Sequence, residues 1–262
     1  MLVKSKIHPN AFVHPKAKLG NGVCIGPNTI VGEYVKIGAD TVVGSSCVIE
    51  GMTQIGKRCK IHTGAVIGSP PQDLKYKGEC TKVIIGDDNV IREYVTINLG
   101  TVDKGRTVIG NNNLLMAYSH VAHDCLIGDG VVIANAGTLA GHVTIEDKAI
   151  IGGMSAIHQF SRVGRMAIIG GCSKIIQDVP PFSMVDGHPA KVYGINSIGL
   201  KRTKIAAKSI ARLKTAFKIL FKMKLSTSTA LKRIKKEIPK NVYVQYLVEF
   251  VKSSKRGVCK GN

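Results

Sequence analysis

From Ile7 to Ile175 every sixth residue is Ile, Val or Leu, with three exceptions. The run includes Val31, Ile37, Val43 and Ile49 early in the chain and Ile127, Ile133, Leu139 and Ile145 later. Neither a helix of about 3.6 residues per turn nor a strand alternating every two residues repeats in sixes. A coil built of six-residue units does, because each aliphatic side chain points to a common axis and stacks on its copy one coil away. Three units close one triangular coil, and parallel pairing stacks the coils about 4.8 Å apart. The fold class is therefore mainly β, a parallel β-solenoid. Gly often follows the aliphatic position, as at Gly20, Gly26, Gly38 and Gly56. It suits a corner with unusual dihedrals or close backbone approach.

The exceptions Asp73, Glu79 and Asp103 fall in two stretches that read as loops, near 69–82 (SPPQDLKYKGECTK) and 99–106 (LGTVDKGR). Loops that leave a regular scaffold are disproportionately functional. The spacing predicts a solenoid domain over 1–185, ended by Pro180 and Pro181, with SMVDGHPAKVYGIN as a polar connector. Residues 186–262 form a second, small helical domain. Ile210, Leu213, Phe217 and Leu220 give an amphipathic stripe within 204–224. Ser226 to Thr229 offer an N-cap for a helix that ends before Pro239, and Tyr243, Tyr246, Leu247, Phe250 and Val251 mark a third.

The chain of 262 residues is long enough for one or two domains with a sizeable core. The start, MLVKSKIHPNAF, has no apolar signal core, and no apolar run is long enough to span a membrane. Seven Cys, odd in number and without a CxxC pair, suit reduced thiols in a cytoplasmic protein. The net charge of +20 is uneven: residues 191–262 hold 19 Lys and Arg against only Glu237 and Glu249. Such a block suits an anionic partner, or a solvated helical face. The aromatic interleaving of RNA binders is missing, so nucleic acid is not expected.

His8, His14 and His62 sit at corners that Gly often fills and read as hydrogen-bonded corner residues. His123, His142 and His158 differ. They follow Val121, Leu139 and Ile157, which are 18 residues apart, so they share one side of three successive coils, with His120 just before them. Such a column can supply a general base, hold a zinc ion, or bond across coils.

The stretches HVAHDC (120–125), LAGHV (139–143), IHQF (157–160) and QDLKY (72–76), with GLKR at 199–202, resemble the bacterial UDP-N-acetylglucosamine O-acyltransferases of lipid A synthesis. The resemblance covers nearly the whole chain. It implies a left-handed parallel β-helix of hexapeptide repeats, a homotrimer with sites between subunits, and no bound cofactor. The implied donor is an acidic acyl carrier protein bearing a phosphopantetheine thioester, and the acceptor is UDP-N-acetylglucosamine. By motif match His123 is the general base, Asp124 orients it, and Gly141 N–H holds the oxyanion. A carboxylate beside His123 on a strand would point to the opposite face, so that pair requires a bend. Gln72, Asp73, Lys75, Tyr76, His120, His142, His158, Gln159, Asn196 and Arg202 are implied in substrate binding, and Gly171 in limiting acyl-chain length. The His spacings differ from the long-then-short spacing of hexapeptide-repeat carbonic anhydrases, so no metal is expected.

The chain departs from better-known members at Asn98 and Leu99, at Tyr118 and Ser119, and at Ile198 and Thr203. These leave open a 3-amino analogue of the acceptor. An acetyl-CoA-dependent hexapeptide transferase and a non-catalytic scaffold are the remaining alternatives.

Overall fold

The computed structural model describes residues 5–262. Twenty-six strands of two to four residues follow one another between Lys6 and Ile175. Each pairs in parallel with the third strand before and after it, which builds three sheets along the coil. The first holds Ile7, Ile25 and Val43, the second Val13, Val31 and Ile49, the third Leu19, Ile37 and Ile55. Ile7 pairs with Ile25, 18 residues on. Across the first loop Ile61 pairs with Ile91, 30 residues on, and across the second Ile91 pairs with Leu115, 24 on. The loops thus add whole multiples of six. Asp73, Glu79 and Asp103 keep the phase of the repeat while lying outside its core.

From Ile25 onward each strand buries its aliphatic residue and the residue two places earlier, whereas Ile7 in the first coil is exposed. Ile49, Ile67, Ile91 and Leu115 are wholly buried, as are Val23, Val35 and Val131. Burying one such side chain contributes about 1.5–3 kcal/mol. Where the earlier position is polar, its bonds close internally. Thr29 Oγ1 donates to Gly44 O (2.7 Å) and accepts the Cys47 N–H (3.1 Å). Positive φ falls three residues after the aliphatic position, at Asn28, Asp40, Ser46, Asp124 and His142 among others. The glycine immediately after that position has another reason. A Cβ on Gly38 would stand 2.6 Å from the carbonyl carbon of Gly56 in the next coil, so close approach of coils, not an unusual dihedral, requires it.

The segment read as a polar connector is a hairpin. Ser183–Gly187 pairs antiparallel with Ala190–Ile195 and extends the first sheet through Ile169 and Val185. Ser183, Val185, Ala190 and Val192 face inward while Met184, Asp186, Lys191 and Tyr193 face outward. Residue 185, where the sequence reading ends the solenoid, lies inside this hairpin.

Four helices follow: α1 (Ser197–Arg202), α2 (Ala207–Phe221), α3 (Thr227–Glu237) and α4 (Val242–Ser253). α1 has no counterpart in the apolar pattern. Ser226 caps α3 by accepting the Thr229 N–H, and Asn241 caps α4. The tail is fastened to the coil by polar bonds. Tyr246 OH donates to Glu146 Oε2 (2.6 Å), and Ser254 Oγ donates to the buried Asp178 (2.7 Å). Burial, with the Glu146 bond, holds the Tyr246 phenol well above its ordinary range. All seven cysteines are free. Burial pushes the Cys125 and Cys259 thiols up to about 12, as suits packing residues. Among the described residues no helix is long and apolar enough to cross a membrane.

Candidate active site

Both excursions leave the coil at one corner, between the second and third sheets. The first runs from the strand Val66–Ser69 to Lys82–Ile85, the second from Thr96–Asn98 to Arg106–Ile109. His123, Gly141, His142 and Gln159 stand at the same corner of the next three coils. Together they bound a cleft of about 600 Å³ lined by Gln72, Asp73, Lys75, Tyr76, Thr101, Asp103, His123, His142, Gln159 and Phe160. Leu74 and Val102, both exposed, give it an apolar rim.

The bend that the His123–Asp124 pair requires is present. The two residues form a turn in which Asp124 has φ +59°, and His123 Nδ1 lies 3.0 Å from Asp124 Oδ2. A carboxylate only accepts, so Nδ1 carries the proton and Nε2 keeps a lone pair. Asp124 is wholly buried and held by the second excursion. Thr101 N–H donates to its Oδ1 (3.0 Å) and Thr101 Oγ1 to its Oδ2 (2.6 Å). Its own N–H donates to Thr107 Oγ1 (2.9 Å), and Lys104 Nζ donates to its carbonyl oxygen (3.2 Å). Gly141 fits because a Cβ there would overlap the His123 ring at Cε1 and Nε2. Among the described residues its N–H donates to no acceptor.

His142 meets His123 edge to face (centroids 5.1 Å apart) and stacks on Phe160 (4.5 Å). Its Nε2 lies 3.7 Å from both Asp124 Oδ2 and Asp103 Oδ2. Burial holds its pKa below the ordinary imidazole value, against the pull of Asp124. The histidine column is broken beyond this point. Phe160, not His158, covers His142, and His158 turns outward to Arg256 and the Gln159 carbonyl. His120 points out of the second sheet, with Nδ1 2.7 Å from Thr96 Oγ1. His8 and His14 accept backbone N–H groups at their corners, while His62 lies 3.5 Å from Glu93.

Three residues named from the sequence lie elsewhere in the chain. Gly171 belongs to the corner between the first and second sheets, in a groove of about 420 Å³ with Met184 and Tyr193. Asn196 caps α1 by accepting the Gly199 N–H (3.0 Å) and donates to Met166 O (3.0 Å). Arg202 is exposed at the end of α1. Sequence reasoning passed over Thr101, Asp103 and Phe160. Phe160 stood inside a quoted motif. Thr101 keeps the phase of the inward polar residues such as Thr29 and Thr41, four after an aliphatic position, which marked it as facing the coil. Among the described residues, one group of His, Cys, Asp or Glu side chains is close enough to share an ion: His123, Asp124 and His142.

Comparison with known proteins bears on this arrangement. The family model for UDP N-acetylglucosamine O-acyltransferase domain 2 matches residues 178–259, and that for bacterial transferase hexapeptide repeats matches 106–141. A model of the GMPPB C-terminal domain matches 5–108. A protein of Thermodesulfovibrio yellowstonii is 51% identical over 98% of this chain and 100% of its own length. One of Alkalilimnicola ehrlichii is 52% identical over the same shares. Both are named acyl-(acyl-carrier-protein)–UDP-N-acetylglucosamine O-acyltransferase. The chain belongs to this O-acyltransferase family. Solved members fit the fold closely. That of Acinetobacter baumannii has a TM-score of 0.94 at 42% identity, covering 97% of this chain and 99% of its own. That of Bacteroides fragilis has 0.95 at 42%, with the same coverage. The coil is the left-handed parallel β-helix of the O-acyltransferases.

Proposed function

We propose that this O-acyltransferase moves a (R)-3-hydroxyacyl chain from acyl carrier protein to the glucosamine 3-hydroxyl of UDP-N-acetylglucosamine, the first step of lipid A synthesis. The observation that carries this reading is the His123–Asp124 pair, clamped by Thr101 at the floor of a cleft whose wall is the QDLKY loop. A thioester carbonyl is already electrophilic, so the chain needs a base and an oxyanion donor rather than a covalent nucleophile. His123 Nε2 takes the proton of the 3-hydroxyl as its oxygen attacks the thioester carbon. Asp124 holds the ring and stabilises the imidazolium. The Gly141 N–H meets the tetrahedral oxyanion, and the imidazolium returns the proton to the departing phosphopantetheine thiolate. His142, neutral through burial, and Gln159 border the sugar. Lys75 meets the diphosphate as a point charge. No metal or bound cofactor takes part.

The site is completed by a neighbouring copy in a homotrimer. Gly171, Asn196 and Arg202, which the family resemblance links to acyl chain and nucleotide, stand away from the His123 cleft within one chain. The corner that carries Gly171 also exposes Tyr94, Tyr118 and Met154, and the adjoining second sheet exposes Phe12 and Ile30. Apolar exposure of this kind suits an interface between copies. The basic tail suits docking of the acidic carrier protein. The donor and seven free thiols agree in a cytoplasmic setting.

Leu99, buried where better-known members carry Arg, favours keeping a second acceptor in view, the 3-amino analogue. The test is transfer by the purified protein from (R)-3-hydroxyacyl carrier proteins of several lengths, with UDP-N-acetylglucosamine, its 3-amino analogue and an acyl-CoA panel compared. Ester product from the carrier-protein donor is expected. Amide product alone would move the acceptor, and transfer from acetyl-CoA alone would overturn the reading.

A further inference from the structure

Three ligand atoms converge beneath the cleft. His123 Nδ1 lies 3.0 Å from Asp124 Oδ2, and Asp124 Oδ2 lies 3.7 Å from His142 Nε2. One ligand atom from each of His123, Asp124 and His142 lies within 4.8 Å of the other two. In a tetrahedral zinc site, bond lengths of about 2.0–2.1 Å put neighbouring ligand atoms about 3.3 Å apart, close to the 3.0 and 3.7 Å that Asp124 Oδ2 makes to the two imidazoles. A fourth ligand is at hand: Asp103 Oδ2 is also 3.7 Å from His142 Nε2, on a side chain that is 68% exposed and able to swing inward. The surrounding shell is built. Thr101 fixes both oxygens of Asp124, and Phe160 stacks flat on the His142 ring. Such outer partners orient metal ligands.

We infer that this cluster is an inhibitory site for a zinc-class divalent cation, held by His123 Nδ1, Asp124, His142 Nε2 and Asp103. Two imidazoles with two carboxylates suit Zn²⁺ or Co²⁺, whereas Mg²⁺ and Ca²⁺ take oxygen ligands. When the cation occupies Nδ1, the ring's one proton moves through water to Nε2, the nitrogen beside Gly141. Nε2 then has no lone pair for the acceptor's hydroxyl proton. Metal binding and general-base catalysis thus exclude each other at one ring, and the cation acts by fixing the wrong tautomer. The inhibitory half of this inference rests on His123 being the base; the binding half does not.

The test separates the two. The full-length protein, stripped with chelator, is titrated with Co²⁺ while its visible absorption is read, then with Zn²⁺ in competition and Mg²⁺ as control. One Co²⁺ per chain is expected, displaced by Zn²⁺ and indifferent to Mg²⁺. Asp103→Asn and His142→Gln should each weaken binding by at least about tenfold. Zn²⁺ should abolish acyl transfer, and chelator should restore it. No saturable Co²⁺ or Zn²⁺ binding, or binding untouched by both substitutions, overturns the site. Binding that follows the substitutions while transfer continues overturns the inhibitory claim. A protein with no acyl transfer at all would fail the functional reading, and the Co²⁺ titration would still decide the site.

Discussion

The His123 imidazole, the proposed base, depends on a residue that does not touch it. Thr101 holds both oxygens of Asp124, and Asp124 in turn sets the tautomer of His123. Thr101→Val keeps the N–H bond and loses the hydroxyl. It should lower kcat by roughly 10- to 100-fold, the scale of losing one charge-assisted bond, with KM little changed. Thr101→Ser should restore most of the rate, which steady-state kinetics would show. His120 gives a prediction about pH. Burial, and then the nearby His123, lower its pKa from the ordinary value. Below about pH 6.5 the unfolded chain therefore binds more protons than the folded one. Stability should fall as pH drops from 6.5 towards the lowered value, and His120→Asn should flatten that slope in melting curves. At this scale the sequence was informative about which histidines share a corner, because their phase against Val121, Leu139 and Ile157 can be counted. It said nothing of side-chain direction, and so the outward turn of His158 and the intrusion of Phe160 escaped it.

The hexapeptide coil was legible because one residue in six is aliphatic throughout, buried from Ile25 on, and a period survives any local variation. The loops stayed in phase because they add whole multiples of six. The hairpin over 183–195 was not legible. Each of its strands offers only two inward residues, among Gly, Pro and polar neighbours, too few for a period. Nor was α1, whose six residues are set by the Asn196 cap rather than by an apolar stripe. The coil's tolerance can be tested at Gly38. Gly38→Ala places a Cβ against the backbone of Gly56, with no flexible side chain to yield. It should cost about 1–3 kcal/mol in a denaturant titration. Ile133→Ala, which empties a wholly buried position, should cost about 2–5 kcal/mol.

In the proposed trimer, neighbouring chains complete each other's sites. Chains of 28.0 kDa should scatter light as a particle of about three times that mass. Complementation is the sharper consequence. His123→Ala and Arg202→Ala chains, each inactive alone, should regain part of the activity when co-expressed, because mixed trimers contain some intact clefts. The quaternary arrangement could not be read from hydrophobic periodicity, since the coil closes its own core and leaves only exposed residues such as Phe12, Tyr118 and Met154 to mark the faces. His123 is proposed above all as the base for acyl transfer. That role is tested most directly by the rate of 3-hydroxyacyl transfer from carrier protein to UDP-N-acetylglucosamine in wild type and His123→Ala, both confirmed as folded. A loss of about 10²–10⁴-fold is expected, with UDP-N-acetylglucosamine still bound. A variant that keeps its rate within a few-fold of wild type would contradict it.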